Sequence, residues 1–198
     1  MPMLQIRIHG RGGQGVVTAA EMLSIAAFAQ GRHAQAFPSF GSERTGAPVV
    51  AFCRIDDREI RLREPILAPD VLIVQDPTLL HQVDVFQGLQ PDGYVLINSK
   101  RSFDALGVGE IAQRFRHERL LTVPATEIAL KHLGRPLPNA VLLGGFAALA
   151  GLVTIDAVAH AIRAKFSGKV ADGNVAAATE AYQAVRRALI EVADAQAD

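Results

Sequence analysis

Tryptophan is absent from this 198-residue chain, and cysteine occurs once, at Cys53. One thiol closes no internal disulfide. Nor can it supply the ligand set of an iron–sulfur cluster or a structural zinc. A cysteine-held redox centre used by this protein would have to sit on another chain. Net charge is missing too, because 20 Lys+Arg balance 20 Asp+Glu. Such a chain has no bulk electrostatic attraction to nucleic acid or to an anionic membrane. It also repels itself little, which suits packing against other proteins. Long apolar runs are lacking: the longest, around 140–153, is interrupted by glycine and too short to span a bilayer. Residues 1–9 lack the apolar stretch of a signal peptide. The expectation is a soluble, cytoplasmic protein with no nucleic-acid or membrane partner.

Catalytic signatures are scarce. The six histidines (His9, His33, His81, His117, His132 and His160) stand at no metal-ligand spacing. No Gly-x-Ser-x-Gly elbow and no Gly-Lys-Ser/Thr follow-on to a glycine loop occur. No catalytic residue and no metal ligand is assigned. Asp56 and Asp57 read as the tip of a hairpin, and Cys53, within a strand pattern, as a small buried hydrophobe.

What is present is a core-former. Hydrophobic residues make up 49% of the chain, over a length that suits one domain. Alternation predicts a strand over 4–9, and a nearly all-apolar run predicts a deeply buried helix over 16–30. Further strands are expected at 33–37, 49–55 and 59–62 (the last two as a hairpin), 71–74, 93–98 and 120–123. Helices are expected at 77–89, 109–116, 126–133, 140–150, 154–166 and 172–193. In the last of these, Val175, Ala178, Tyr182, Val185, Leu189 and Val192 fall on one face. Strands alternating with helices predict a layered, Rossmann-like α/β fold with a mainly parallel sheet, helices on both faces and a helical C-terminal part. We divide the single domain, 1–198, into a sheet part (1–124) and a helical part (125–198).

Gly10-Arg11-Gly12-Gly13-Gln14-Gly15 fits G-x-G-x-x-G, between a predicted strand and a predicted helix. Glycines permit a tight turn and close approach of the backbone, and the following helix N-terminus offers bare N–H groups to an anion. The plainer alternative is a tight strand–helix joint and nothing more. A nicotinamide dinucleotide would require an acid about 20 positions on, to hold a ribose. Residues 34–39, Ala-Gln-Ala-Phe-Pro-Ser, supply none.

The run 9–15, with Ala-Phe-Pro-Ser-Phe-Gly-Ser-Glu-Arg-Thr-Gly-Ala-Pro at 36–48, Val-Pro-Ala-Thr-Glu-Ile at 123–128 and Gly-Arg-Pro-Leu-Pro-Asn at 134–139, resembles the gamma subunit family of 2-oxoacid:ferredoxin oxidoreductases, to which pyruvate synthase belongs. The likeness covers nearly the whole chain in order. It implies a complex that decarboxylates a 2-oxoacid on thiamine diphosphate, passes electrons through iron–sulfur clusters to ferredoxin or another acceptor such as a pyridine nucleotide, and transfers the acyl group to coenzyme A. Thiamine diphosphate, Mg and the clusters are implied to lie on partner subunits of alpha, beta and delta type. The gamma-type part is implied to help hold coenzyme A. A basic loop of the family corresponds to 42–47 here, where Glu43 replaces a basic residue while Arg44 remains.

The candidate cofactor-binding residues are Gly10, Gly12, Gly13, Gln14, Gly15, Ser42, Arg44, Thr45 and Asn139. Each has a plainer alternative. Gln14 could orient a cofactor or stabilise its own turn. Arg44 could bind phosphate or pair with an acid, and Ser42 and Thr45 could assist it or face solvent. Asn139 could touch the ligand or cap a helix. Phe37 and Phe40 could stack on a base or pack in the core. The competing functions are an assembly subunit without ligand contact and a stand-alone nucleotide-binding module.

Overall fold

A computed structural model describes residues 2–39 and 44–197. Phe40, Ser42 and Glu43 lie outside the described residues. In chain order the elements are β1 (Leu4–Arg11), α1 (Val16–Ala29), β2 (His33–Pro38), β3 (Pro48–Asp56), β4 (Val71–Val74), β5 (Tyr94–Asn98), α2 (Gly109–Ala112), β6 (Leu120–Val123), α3 (Ala125–Leu133), α4 (Asn139–Ala150), α5 (Ile155–Lys165) and α6 (Gly168–Ala197). Two short 3-10 turns, Pro77–His81 and His117–Arg119, precede β5 and β6 respectively.

The sheet runs β2-β3-β1-β4-β5-β6. β1, β4, β5 and β6 are mutually parallel, and β3 lies antiparallel between β2 and β1. The sheet is therefore mainly parallel, as expected. The hairpin expected around Asp56-Asp57 does not form. Both edges of β3 are already paired, so residues 59–62 have no strand to join. That segment is irregular, and the chain just after it is held by side chains of the sheet: Arg54 Nη2 donates to Glu64 O (2.7 Å) and Arg7 Nη1 to Ile66 O (3.4 Å).

Helices lie on both faces, but unequally. The long ones, α1 and α3–α6, enclose with Ile6, Ile8, Ile73 and Leu96 a core centred on the fully buried Phe146. The apolar sequence of α1 is explained by its position: it packs on β1–β3 and is covered in turn by α4 and α5. The predicted stripe of α6 faces the same core, with Ala178 and Val185 buried. The other face carries a smaller core around Leu72, Val74, Val95 and Ile97, covered by the single-turn α2, the 3-10 turns and irregular chain. The helix expected over 77–89 stops after Pro77–His81. Beyond it, the carbonyls of Val85 and Gln87 accept from Arg7 (2.8 and 2.6 Å) instead of from a following helical turn. The helix expected over 109–116 likewise ends at Ala112, and Phe115 turns in to stack on Phe86. Among the described residues no helix is long and apolar enough to cross a membrane.

Candidate functional site at the carboxyl edge of the sheet

β1 and β4–β6 deliver their C-terminal ends to one edge. The chain winds one way from β1 to β2 and the other way from β4 to β6, so the order reverses between β1 and β4. In open α/β sheets, ligands bind beyond the carboxyl ends of the strands at such a reversal. Here a crevice of about 700 Å³ opens at that point, lined by Gly13, Thr45, Gln75, Asp76, Thr126 and Arg135 among others. A second cavity of about 490 Å³ adjoins it on the side of the long helices. Gly13, Arg135 and Leu137 line both.

The glycine loop separates by position. Gly12 is where two chain segments touch: its N–H donates to Ala47 O (2.9 Å) and its carbonyl accepts from Gly46 N (3.0 Å). A Cβ there would lie 2.2 Å from the Arg44 carbonyl oxygen. Gly10 is crowded by Val16, where a Cβ would meet Cγ2 at 2.5 Å. Gly15 has φ +68 and would press a Cβ to 2.4 Å from Asn139 Nδ2. These three glycines are accounted for by close packing. Gly13 is different: a Cβ on it would meet nothing within 4 Å, so its glycine answers to the backbone, at φ +92, and not to packing, and it lines both cavities.

Gln14 is held within the turn. Its Oε1 accepts from Arg11 N (2.8 Å) and its Nε2 donates to Asp76 Oδ2 (2.8 Å), while Gln75 Nε2 donates to its carbonyl (2.9 Å). Arg11 is bound up in the same network, 3.2 Å from Asp76 and hydrogen-bonded to Thr78, Gln82 and Gly46 O. Burial opposes ionisation of Asp76. Hydrogen bonds from Thr78 and Gln14, with the Arg11 charge, outweigh it, so this carboxyl titrates below its ordinary value. Gln75 is 1% exposed, and its Oε1 is buried without a partner among the described residues.

Helix α1 begins with Gly15 as its cap. No side chain bonds its first amides and no acid stands in its first turn. Three N–H groups at that end lack intrahelical partners and carry the positive end of the helix dipole. Asn139 opens α4 as its first residue. Its Nδ2 donates to Gly15 O (3.3 Å), tying the start of α4 to the start of α1, and its Oδ1 accepts from Ala140 N (2.9 Å).

Of the remaining candidates, Thr45 lines the crevice. Arg44 contributes its backbone at Gly12, but its exposed residue lines neither cavity. Ser42 lies outside the described residues. Phe37 packs against Phe52, with ring centroids 5.1 Å apart, away from both cavities. Asn98, Thr126 and Arg135 were given no role on sequence grounds. Asn98 Nδ2 donates to Gln75 O and to Thr126 Oγ1, both at 2.8 Å, which links the ends of β4, β5 and the start of α3. A polar residue at the last position of an apolar strand is the signal that could have found it. Arg135 lies within the 134–139 run, and only the fold places it at the rim of both cavities.

The model of the pyruvate ferredoxin/flavodoxin oxidoreductase family matches residues 5–184. The chain is 48% identical over 184 residues to pyruvate synthase subunit PorC of Methanothermobacter marburgensis, covering 93% of this chain and 98% of that one. It is 48% identical over 183 residues to the common gamma subunit of pyruvate/ketoisovalerate oxidoreductases of Pyrococcus abyssi, covering 91% and 96%. The crystal structure of pyruvate oxidoreductase subunit PORC from Thermotoga maritima superposes with a TM-score of 0.77 at 36% identity, covering 91% and 96%. Similarity of this extent, over nearly the full length on both sides, means that the chain belongs to the pyruvate ferredoxin/flavodoxin oxidoreductase family, as a gamma-type subunit.

Proposed function

We propose that this chain completes the coenzyme A pocket of a thiamine-diphosphate-dependent 2-oxoacid:acceptor oxidoreductase and is inactive alone. All 198 residues act as one unit in the cytoplasm, docked beside alpha-, beta- and delta-type chains. Thiamine diphosphate, held with Mg on those partners, supplies the electron sink for decarboxylation. Iron–sulfur clusters on the partners carry electrons to ferredoxin or a related acceptor. Cys53 fits no such role: it is fully buried, and burial pushes its thiol up to about 12.

The observation that carries the reading is the crevice at the carboxyl edge, with Gly13 open to it and the uncapped start of α1 beside it. Main-chain N–H groups there can bind a phosphate oxygen without a dedicated side chain. Thr45 and Thr126 line the same space, where their hydroxyls can hold a polar arm in register. The bonds of Gln14 and Arg11 within the loop keep this edge in shape before the ligand arrives.

The test is steady-state kinetics of the assembled complex carrying Thr45→Val or Thr126→Val, two residues that line the crevice. The Michaelis constant for coenzyme A rises several-fold, the constant for the 2-oxoacid is unchanged, and the chain still co-purifies with its partners. Intact assembly with unaltered coenzyme A kinetics in both variants would leave the assembly-subunit reading in its place.

A further inference from the structure

Strand β2 closes the sheet on one side and pairs only with β3 among the described strands. In an antiparallel ladder, successive residues bond alternately to one neighbour and to the other. Ser39 N donates to Val50 O (2.8 Å), so Phe37, Gln35 and His33, counted back in twos, spend their main-chain groups on β3. The far side of β3 gives the same phase. There Gly12 N donates to Ala47 O, which turns the odd-numbered residues of β3 toward β1 and leaves the even-numbered ones for β2. The N–H and C=O groups of Ala34 and Ala36 therefore point off the sheet. No loop or side chain among the described residues bonds to them.

Proteins usually blunt such an edge with charge, an interior proline or a covering segment. β2, His-Ala-Gln-Ala-Phe-Pro, carries no acid, lysine or arginine, and its proline stands at the last position. The nearest charges, Arg32 and Asp57, pair with each other (3.3 Å). Helix α1 packs over β2 and β3. Its Val17, Glu21, Ser24 and Phe28 recur at four-three-four spacing, on the face turned from the core. Phe28 is 73% exposed, and Glu21 is paired with Lys165 of α5. The edge and the helix beside it thus form one neutral surface.

We propose that β2 pairs with β2 of a second copy of this chain, antiparallel across a two-fold axis, so that the two sheets become one. The edge dictates the register. Centred on Gln35, the pairing sets Ala34 opposite the second copy's Ala36 and the reverse, and each pair exchanges two bonds. Centred on Ala36 instead, it sets Ala34 against Pro38, and both Ala34 carbonyls go without a donor. In the favoured register no like charges meet, because Arg32 falls opposite Pro38 and His33 opposite Phe37. The helices fit the same axis. With strands ~4.8 Å apart and α1 over the gap between β2 and β3, the two copies of α1 lie about 10 Å apart, the distance at which helices pack. α1 rises about 21 Å and β2 about 20 Å, so their midpoints coincide and Phe28 meets the second copy's Val17. Strands β3 and β1 separate this edge from the crevice, so the pairing leaves the crevice open and does not depend on what it binds.

The experiment uses the assembled complex carrying Gln35→Cys, treated with a short bifunctional maleimide. In the proposed register the two copies of position 35 face each other with Cα atoms about 4.5 Å apart. The expected product is a band of twice this chain's mass, whose cross-linked peptide joins position 35 to position 35. The unaltered complex gives no such band, because Cys53 is fully buried. Adding Ala36→Pro removes an N–H that bonds nothing within the chain, and most of the band is lost. Adding Phe28→Glu, which sets a charge against the second copy's Val17, has the same effect, and it decides the case if Ala36→Pro fails to assemble. Absence of the band, linkage of the Gln35→Cys thiol to a different chain of the complex, or a yield that neither added substitution lowers would each overturn the pairing.

Discussion

Gly12 and the Arg44 carbonyl are packed so closely that a single added methyl group would sit 2.2 Å from the oxygen. The contact joins the loop after β1 to the segment before β3, with Gly12 N donating to Ala47 O and Gly46 N donating to Gly12 O. Both sides are backbone, so neither can rotate away. Gly12→Ala is expected to destabilise the chain by ~1–3 kcal/mol, the usual cost of overpacking. Chemical denaturation checks this. A midpoint equal to that of the unaltered protein would rule out the close contact.

A second prediction concerns Arg7, 7% exposed on a face that no long helix covers. Its guanidinium donates to the carbonyls of Ile66, Val85 and Gln87. Those three carbonyls belong to irregular chain and have lost the partners a helix or strand would give them. Arg7→Leu is expected to cost ~3 kcal/mol or more, because it strands buried acceptors. Arg7→Lys rescues only part, since one ammonium cannot reproduce the planar fork. Thermal unfolding of the two variants separates these outcomes, and equal melting temperatures would refute the role of the fork.

The pH dependence of stability is set in part by His9. Burial, with the nearby Arg7 charge second, pushes its imidazole down from 6.5 to about 3. The folded state therefore refuses a proton that the unfolded state accepts. Stability is fully present above pH 6.5 and declines as the pH falls from there toward 3. The slope from this group is at most about 1.4 kcal/mol per pH unit. His9→Leu removes a group that titrates only after unfolding, so its stability between pH 6.5 and 4 changes less with pH than that of the unaltered chain. Parallel pH profiles for the two would contradict this.

Cys53 provides a probe of opening. Its thiol is fully buried and titrates only at about 12, so at pH 8 it has almost no thiolate. Reaction with a thiol reagent is expected to track unfolding, slow in native buffer and fast in denaturant. Fast labelling of the folded chain would show that β3 is accessible.

Much of this was legible in residue order. Alternation marked β1, a continuous apolar run marked β4, and the three-and-four spacing marked α6. The glycine loop was found at its true place, between β1 and α1. The errors cluster on the face without long helices. There the expected helix over 77–89 and the strand over 59–62 gave way to irregular chain held by Arg7 and Arg54. Local pattern could not foresee this, because the competing hydrogen bonds come from residues far away in sequence.

The sequence by itself determined which segments are strands and helices of the main layer, and that no cluster or disulfide can be built on one cysteine. Periodicity and residue chemistry are local, so they survive without the fold. Tertiary structure decided that β3 inserts antiparallel beside β1, that Gly10, Gly12 and Gly15 are fixed by packing while Gly13 has open space around it, and that Arg135 and Asn174 line one cavity. Those relationships depend on which distant segments come within a few ångströms of each other, and no pattern of neighbours along the chain encodes that distance.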